Sequence, residues 1–430
     1  MKAALLPPLL TACLSLHAAD FPPLTVPEGV GVNIHFTTGH ERDLDLIAAA
    51  GIKFVRMDFG WESTERERGR YDWTAYDTLT AGLERRGMRA LYILDYSHPL
   101  YESRAASTNP ISGQPEAGAV RSPQTPESVA AFARWAGAAA KHFQGRRVIW
   151  EIWNEPNIFF WRPKPDVRQY TALALATVKA VRDADPSATI IGPATSGFPW
   201  EFLESFFKAG ALEHLDAVSV HPYRDYAKGP ETAAADYERL RQLMERYVPE
   251  SKRGKLPILS GEWGYSSATK GVSLEKQANF AARQQLGNLL AGVPISIWYD
   301  WKNDGPDPGE HEHNFGLVGT DLQPKPAYTA LQTLTRELAG GSISHRLSTT
   351  NAADFLLVFT NRAGLTKLAA WTTGQPTTPT LKLAGPGPAS LTALNLDGTS
   401  NRLTVANSVL SLPLSQSPVI VDLGRARVEP

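Results

Sequence analysis

Val148-Ile149-Trp150-Glu151-Ile152-Trp153-Asn154-Glu155-Pro156-Asn157 runs from an apolar strand straight into an acidic turn. Its β-branched and aromatic residues favour a buried, pleated strand. Pro156 stops the ladder, because it has no N–H to donate. Glu155 therefore sits just past a strand's C-terminal end, where α/β barrels keep their chemistry.

Seven more short apolar runs read as strands, at 30–34, 53–57, 89–94, 189–192, 215–220, 257–260 and 295–299. Segments of helical spacing alternate with them, for example 73–86, 128–143, 168–183, 232–247 and 274–291. Strict strand–helix alternation means parallel strands, and eight units close into an α/β (β/α)8 TIM barrel, here over 28–340. An open doubly wound sheet competes, but no Gly-x-Gly-x-x-Gly turn follows the first strand. The polar stretch 102–126 reads as a long loop that forms a lid or a binding wall. From 341 to 430 short strand-like runs are separated by Gly, Pro, Asn and Asp, the pattern of a small β-sandwich that packs on the barrel.

Composition excludes some function classes. The 430 residues carry 43% hydrophobic and 20% charged side chains with a formal net charge of -1. With no clustered Lys and Arg, nucleic acid is not an expected partner. Residues 1–19 read as an export signal: Lys2, an apolar run, and small residues Ala18 and Ala19 before Asp20. The run is too short for a permanent transmembrane anchor. Cys13, the sole cysteine, lies within it, and Leu10-Thr11-Ala12-Cys13 resembles a lipoprotein cleavage box. A secreted or periplasmic protein is expected, without a disulfide framework or a thiol nucleophile.

All strand C-terminal ends of a barrel converge on one mouth. The fourth strand brings Glu155 there and the seventh brings Glu262, in Gly261-Glu262-Trp263. Two such carboxyls can divide the work of glycosidic cleavage: one protonates the leaving oxygen and the other meets the developing cation. Aromatic faces bury sugar rings, and Asn, His and Asp bind hydroxyls. Trp61, Trp153, Trp161, Trp200, Trp263, Trp298 and Trp301 all fall at or after expected strand ends, which makes them candidate platforms. Alternation puts Glu151 on the inward face with Glu155, and Arg56 is its expected partner. Glu310-His311-Glu312-His313, with Asp304 and Asp307, reads as a solvated loop rather than a metal site. No phosphate loop or cofactor motif is present, and no cofactor is expected.

Trp153-Asn154-Glu155-Pro156 and Gly261-Glu262-Trp263 resemble the paired motifs of clan A retaining glycoside hydrolases. Gly31-Val32-Asn33-Ile34-His35-Phe36, Val55-Arg56-Met57-Asp58 and Ile93-Leu94-Asp95-Tyr96 resemble family 39, in its branch of bacterial endoglycosidases that cut exopolysaccharide. The resemblance implies Glu155 as acid/base and Glu262 as nucleophile. It implies that Asn154 binds the sugar's 2-hydroxyl and that His221 or Tyr223 bonds the nucleophile. Trp298 or Trp301 would floor the sugar. Asn33, His35, Arg56, Asp58, Asp95 and His98, with Trp153 and Trp263, would line the mouth.

The function so implied is double displacement with retention, the carboxyls about 5 to 5.5 Å apart. The first reading is an endo-acting enzyme on a polysaccharide. An exo-acting β-xylosidase on oligosaccharides and a non-catalytic carbohydrate-binding barrel are the alternatives.

Overall fold

The computed structural model describes residues 20–108, 115–384 and 389–428. The expected export segment, with Cys13, lies outside them.

Eight parallel strands close into a barrel: Val30–Asn33, Phe54–Gly60, Arg89–Asp95, Ile149–Ile152, Thr189–Ser196, Ala217–His221, Ile258–Trp263 and Ser296–Trp298. Neighbours in sequence are neighbours in the sheet, and the eighth strand pairs with the first at Val30 opposite Ser296. Side chains alternate across a strand, and the inward set makes a dry layer: Phe54, Leu91, Ile149, Ile191, Leu259 and Ile297 are fully buried together. Gly31 belongs to the same layer. A Cβ there would stand 2.2 Å from Ile297 Cδ1, so the first strand must yield that space. This layer plugs the barrel floor, and the next inward residues, Arg56, Asp58 and Glu151, stand above it, with Asp95 buried beside them.

The stretch 102–126 is not an unstructured loop. It holds an antiparallel hairpin, Arg104–Thr108 against Pro115–Val120. Those segments carry Ala, Ser, Gly and charge rather than large β-formers, so the sequence pattern hides the pairing.

The C-terminal region is a nine-stranded antiparallel sheet. Its strand Asp354–Thr360 buries both faces: Leu356 and Val358 join a core of its own, and Leu357 and Phe359 join the barrel's. At the junction Trp371 Nε1 donates to Glu231 at 2.8 Å, and Arg283 pairs with the same carboxylate at 2.6 Å. The expected sandwich-like module is thus clamped onto the barrel. No helix among the described residues is long and apolar enough to cross a membrane.

Candidate active site

Arg56 is the pivot of the mouth. It points inward from the second strand and has no exposed surface. A guanidinium has five N–H donors, and all five are used. Nε donates to Glu151 at 2.7 Å. Nη1 donates to Glu262 at 2.6 Å and to Asn33 at 3.1 Å. Nη2 donates to Asn154 at 2.8 Å and lies 3.2 Å from His221 Nε2. The first, fourth, sixth and seventh strands are thereby tied to the second through one side chain.

Arg56 has nothing to accept with, so His221 Nε2 must be the acceptor. The ring proton is therefore assigned to Nδ1, which lies 2.9 Å from Glu155 Oε1. Of the two residues expected beside Glu262, His221 faces Glu155 instead. Tyr223 does reach Glu262, donating to Oε1 at 2.9 Å. One oxygen of Glu155 and one of Glu262 lie within 4.8 Å of each other. Inverting glycosidases hold their carboxyls about 6.5 to 9.5 Å apart to admit a water, whereas retaining ones hold them near 5 Å. Burial pushes the Glu262 carboxyl up, but the Arg56 charge and the bonds from Tyr223 and Arg56 outweigh it, and the net shift is downward. Glu262 is thus held as a carboxylate.

Two local departures from regular strand aim these acids. After Ile152 the chain takes left-handed backbone at Trp153 (φ 67°) and Glu155 (φ 46°), while Glu155 N donates to Ala194 O at 2.9 Å. Such conformations are rare for residues with a side chain and persist only where the surroundings impose them. In the seventh strand the register slips by one residue between Ser260, opposite Ser296, and Trp263, opposite Trp298. A bulge of this kind re-aims a side chain. Gly261 faces inward, where a Cβ would lie 3.1 Å from Glu151 Oε1 and 3.3 Å from His221 Nε2. Glu262 follows it into the mouth.

The acids open into a cleft of about 500 Å³. Asn33, His35, Arg56, Asp58, Asn154 and Tyr223 line it with them, as expected of mouth residues. The tryptophans do not. Trp153, Trp263, Trp298 and Trp301 are buried outside it. Trp153 turns away at its left-handed residue and packs on Trp161 and Phe132. Trp298 follows inward-facing Ile297 and so faces outward, where Nε1 donates to Phe315 O at 3.3 Å. Trp301 donates to Asp43 at 2.9 Å. Trp263, next to Glu262, turns to Tyr265. Trp61 and Trp161 are fully buried too, and Trp200 stacks on Phe198. His98 is also corrected: it is buried between Glu65 O and Leu100 N, at 2.7 and 3.1 Å. Asp95 has no exposed surface and does not line the cleft.

The aromatic walls are instead Tyr96, Phe159 and Phe160 on one side and Tyr299 and Phe315 on the other. Tyr96 and Phe160 stack at 5.7 Å, and so do Phe159 and Phe160 at 4.4 Å. The paired phenylalanines shortly after Glu155 were the signal in the sequence that could have found this wall. Its companion was Tyr299, whose side of the strand opposes Trp298.

Two groups of described residues bring metal-capable atoms within 4.8 Å: Glu155, His221 and Glu262, and His35, Asp300 and Asp304. The first is the acid pair itself. In the second, His35 Nε2 lies 3.5 Å from Asp300 Oδ2. Burial disfavours the imidazolium, yet the bond and charge of Asp300 prevail and raise His35 to about 9. That group reads as an ion pair at the rim. His311 and Glu312 reach the cleft wall, with no metal grouping at 310–313 among the described residues.

The family model described as cellulase (glycosyl hydrolase family 5) matches residues 26–304. A β-xylosidase of Geobacillus stearothermophilus is 28% identical over 204 residues, which is 43% of this chain and 40% of that protein. The matched stretch thus spans about two fifths of this curated relative. A family 39 glycoside hydrolase from Bacteroides cellulosilyticus WH2 superposes with a TM-score of 0.77 at 26% identity, covering 94% of this chain and 82% of that one. A family 39 β-xylosidase from Caulobacter crescentus shares the fold, with a TM-score of 0.66 at 19% identity over 94% and 97% of the two chains. The barrel, the family model and the structural relatives agree on the class, a glycoside hydrolase fold of clan A type. The chain belongs to the glycosyl hydrolase family 5 cellulase family as that model describes it, with family 39 enzymes among its structural relatives.

Proposed function

We propose that the protein is an exported retaining β-glycosidase that cuts within a polysaccharide, with Glu262 as nucleophile and Glu155 as acid/base. The observation that carries the roles is the asymmetric setting of the two acids. Glu262 takes hydrogen bonds from Arg56 and Tyr223, which hold it ionised, as a nucleophile must be. Glu155 has one oxygen on His221 Nδ1, which orients it and leaves the other for the glycosidic oxygen. In the first step Glu262 attacks the anomeric carbon. The C–O bond to the leaving group breaks, and the proton of Glu155 passes to the departing oxygen. In the second step Glu155, now ionised, takes a proton from water, whose oxygen attacks the anomeric carbon and releases Glu262.

Endo action is supported by the aromatic walls on two sides of the cleft, Tyr96, Phe159 and Phe160 against Tyr299 and Phe315, which offer ring faces to more than one sugar of a chain. Exo action on xylosides is the second reading, favoured by the β-xylosidase relatives. Product sizing against extracted exopolysaccharides, plant glycans and aryl β-xylosides tests it. Mixed oligosaccharides from a polymer support endo action, and monosaccharide release alone overturns it. Export is supported by the sequence at 1–19, and fractionation of the producing cell tests it.

A further inference from the structure

Asp58 and Asp95 meet on adjacent parallel strands. Asp58 lies opposite Ile93 and Asp95 opposite Gly60, so both belong to the inward-facing set of the second and third strands. Their carboxyl groups are close enough for each to act on the other's ionisation. Two carboxylates set side by side repel, and neither can donate to the other. One of them must hold a proton.

The surroundings say which. Both oxygens of Asp95 are buried, and no donor among the described residues reaches them. Arg56, the nearby cation, has already committed its five N–H groups to Glu151, Glu262, Asn33, Asn154 and His221. Asp58, by contrast, faces the cleft beside Arg56 and His35. A buried carboxyl with neither donors nor a free countercharge stays neutral. Burial first, and then the Asp58 charge, hold the Asp95 carboxyl well above the usual range.

We propose that Asp95 keeps its proton at working pH and donates it to Asp58, which is thereby fixed as an anionic acceptor for a free hydroxyl of the sugar bound against Glu262. Asp58 is the substrate-binding group and Asp95 a positioning residue that acts through it. The substrate class narrows accordingly: the sugar in that subsite carries an unsubstituted hydroxyl on the side of the second and third strands. This rests on the glycosidase reading above.

The test is a variant series on the full chain, with the best substrate from the glycan screen. Asp58→Asn loses roughly ten- to hundredfold in kcat/KM, the range of a charged hydrogen bond. Asp95→Ala falls in the same direction, and Asp95→Asn, which restores a donor of the same shape, recovers most of the loss. An Asp95→Asn variant that melts like wild type and is as inactive as Asp95→Ala overturns the proposal, as does an Asp58→Asn variant of full activity. Aspartate-selective carboxyl ¹³C spectra give a readout that does not depend on turnover. Asp300, raised by burial to about 7, ionises in alkaline buffer with the ordinary aspartates. One remaining protonated aspartate is expected there, lost in Asp95→Asn; if that variant does not fold, the wild-type spectrum decides, and no protonated aspartate overturns the proposal. Glu262→Ala in the same assays separates the two readings. Turnover by that variant sinks the glycosidase assignment, whereas failure of the Asp95 series beside a dead Glu262→Ala sinks this proposal alone.

Discussion

Arg56 Nη1 donates to Glu262 Oε2 across 2.6 Å, from a guanidinium with no exposed surface. The same guanidinium binds Glu151 through Nε at 2.7 Å. Removing one partner of a buried ionic network costs about 3 to 5 kcal/mol, because the charges left behind remain desolvated. Arg56→Met is therefore expected to lose about that much stability and all measurable turnover. Urea unfolding of purified variant and parent measures it, and equal midpoints would show that the barrel does not depend on this fork.

Tyr223 sets the acid limb of the pH profile. Its hydroxyl is among the groups that draw the Glu262 carboxyl below its ordinary value against burial. A depressed carboxyl contributes stability above its unfolded value and loses it as pH falls through the folded one. Tyr223→Phe removes one downward pull, so Glu262 protonates at higher pH. The acidic limb of kcat/KM moves up, with the alkaline limb in place. A profile unmoved on the acid side contradicts the assignment of Glu262.

The aromatic walls can be told apart from the buried tryptophans. Trp301→Phe deletes the bond to Asp43 and is expected to lower stability by about 1 to 3 kcal/mol with KM unchanged. Phe160→Ala strips a face from the cleft and is expected to raise KM severalfold with the melting temperature nearly kept. Kinetics and melting curves of the two variants decide between them, and the opposite pattern would return the tryptophan to the sugar.

Gly261 is needed for close approach. An added Cβ meets Glu151 Oε1 at 3.1 Å and His221 Nε2 at 3.3 Å, both already tied to Arg56. Gly261→Ala should cost about 1 to 3 kcal/mol by overpacking and should weaken turnover more than its size suggests, since both neighbours position the acids. A variant with full kcat and an unchanged melting point would mean that the seventh strand has slack here.

The barrel was legible because strand and helix periods differ, and eight clean alternations leave few folds. The acids stood out because each interrupts an apolar run at its end, Glu155 before Pro156 and Glu262 after Gly261. Strand parity also paired Glu151 with Arg56. Parity then misled at the strand ends. Left-handed backbone at Trp153 and the register slip before Trp263 break the alternation, and neither has a periodic signature. Trp298 obeyed alternation, but being next to inward Ile297 sends it outward. The hairpin 104–120 was missed because few of its residues favour strands. Asp95 is expected at the mouth because strand parity turns it inward, and parity does not show that its carboxyl is fully buried.

The central claim is that Glu155 and Glu262 act on one sugar from within 4.8 Å of each other. The most direct measurement is the configuration of the first-formed product, read by proton NMR before mutarotation, from whichever β-glycoside the enzyme turns over. The account predicts the β-anomer, by retention. An α-anomer formed first would mean single displacement by water, and this pairing of the two acids would be wrong.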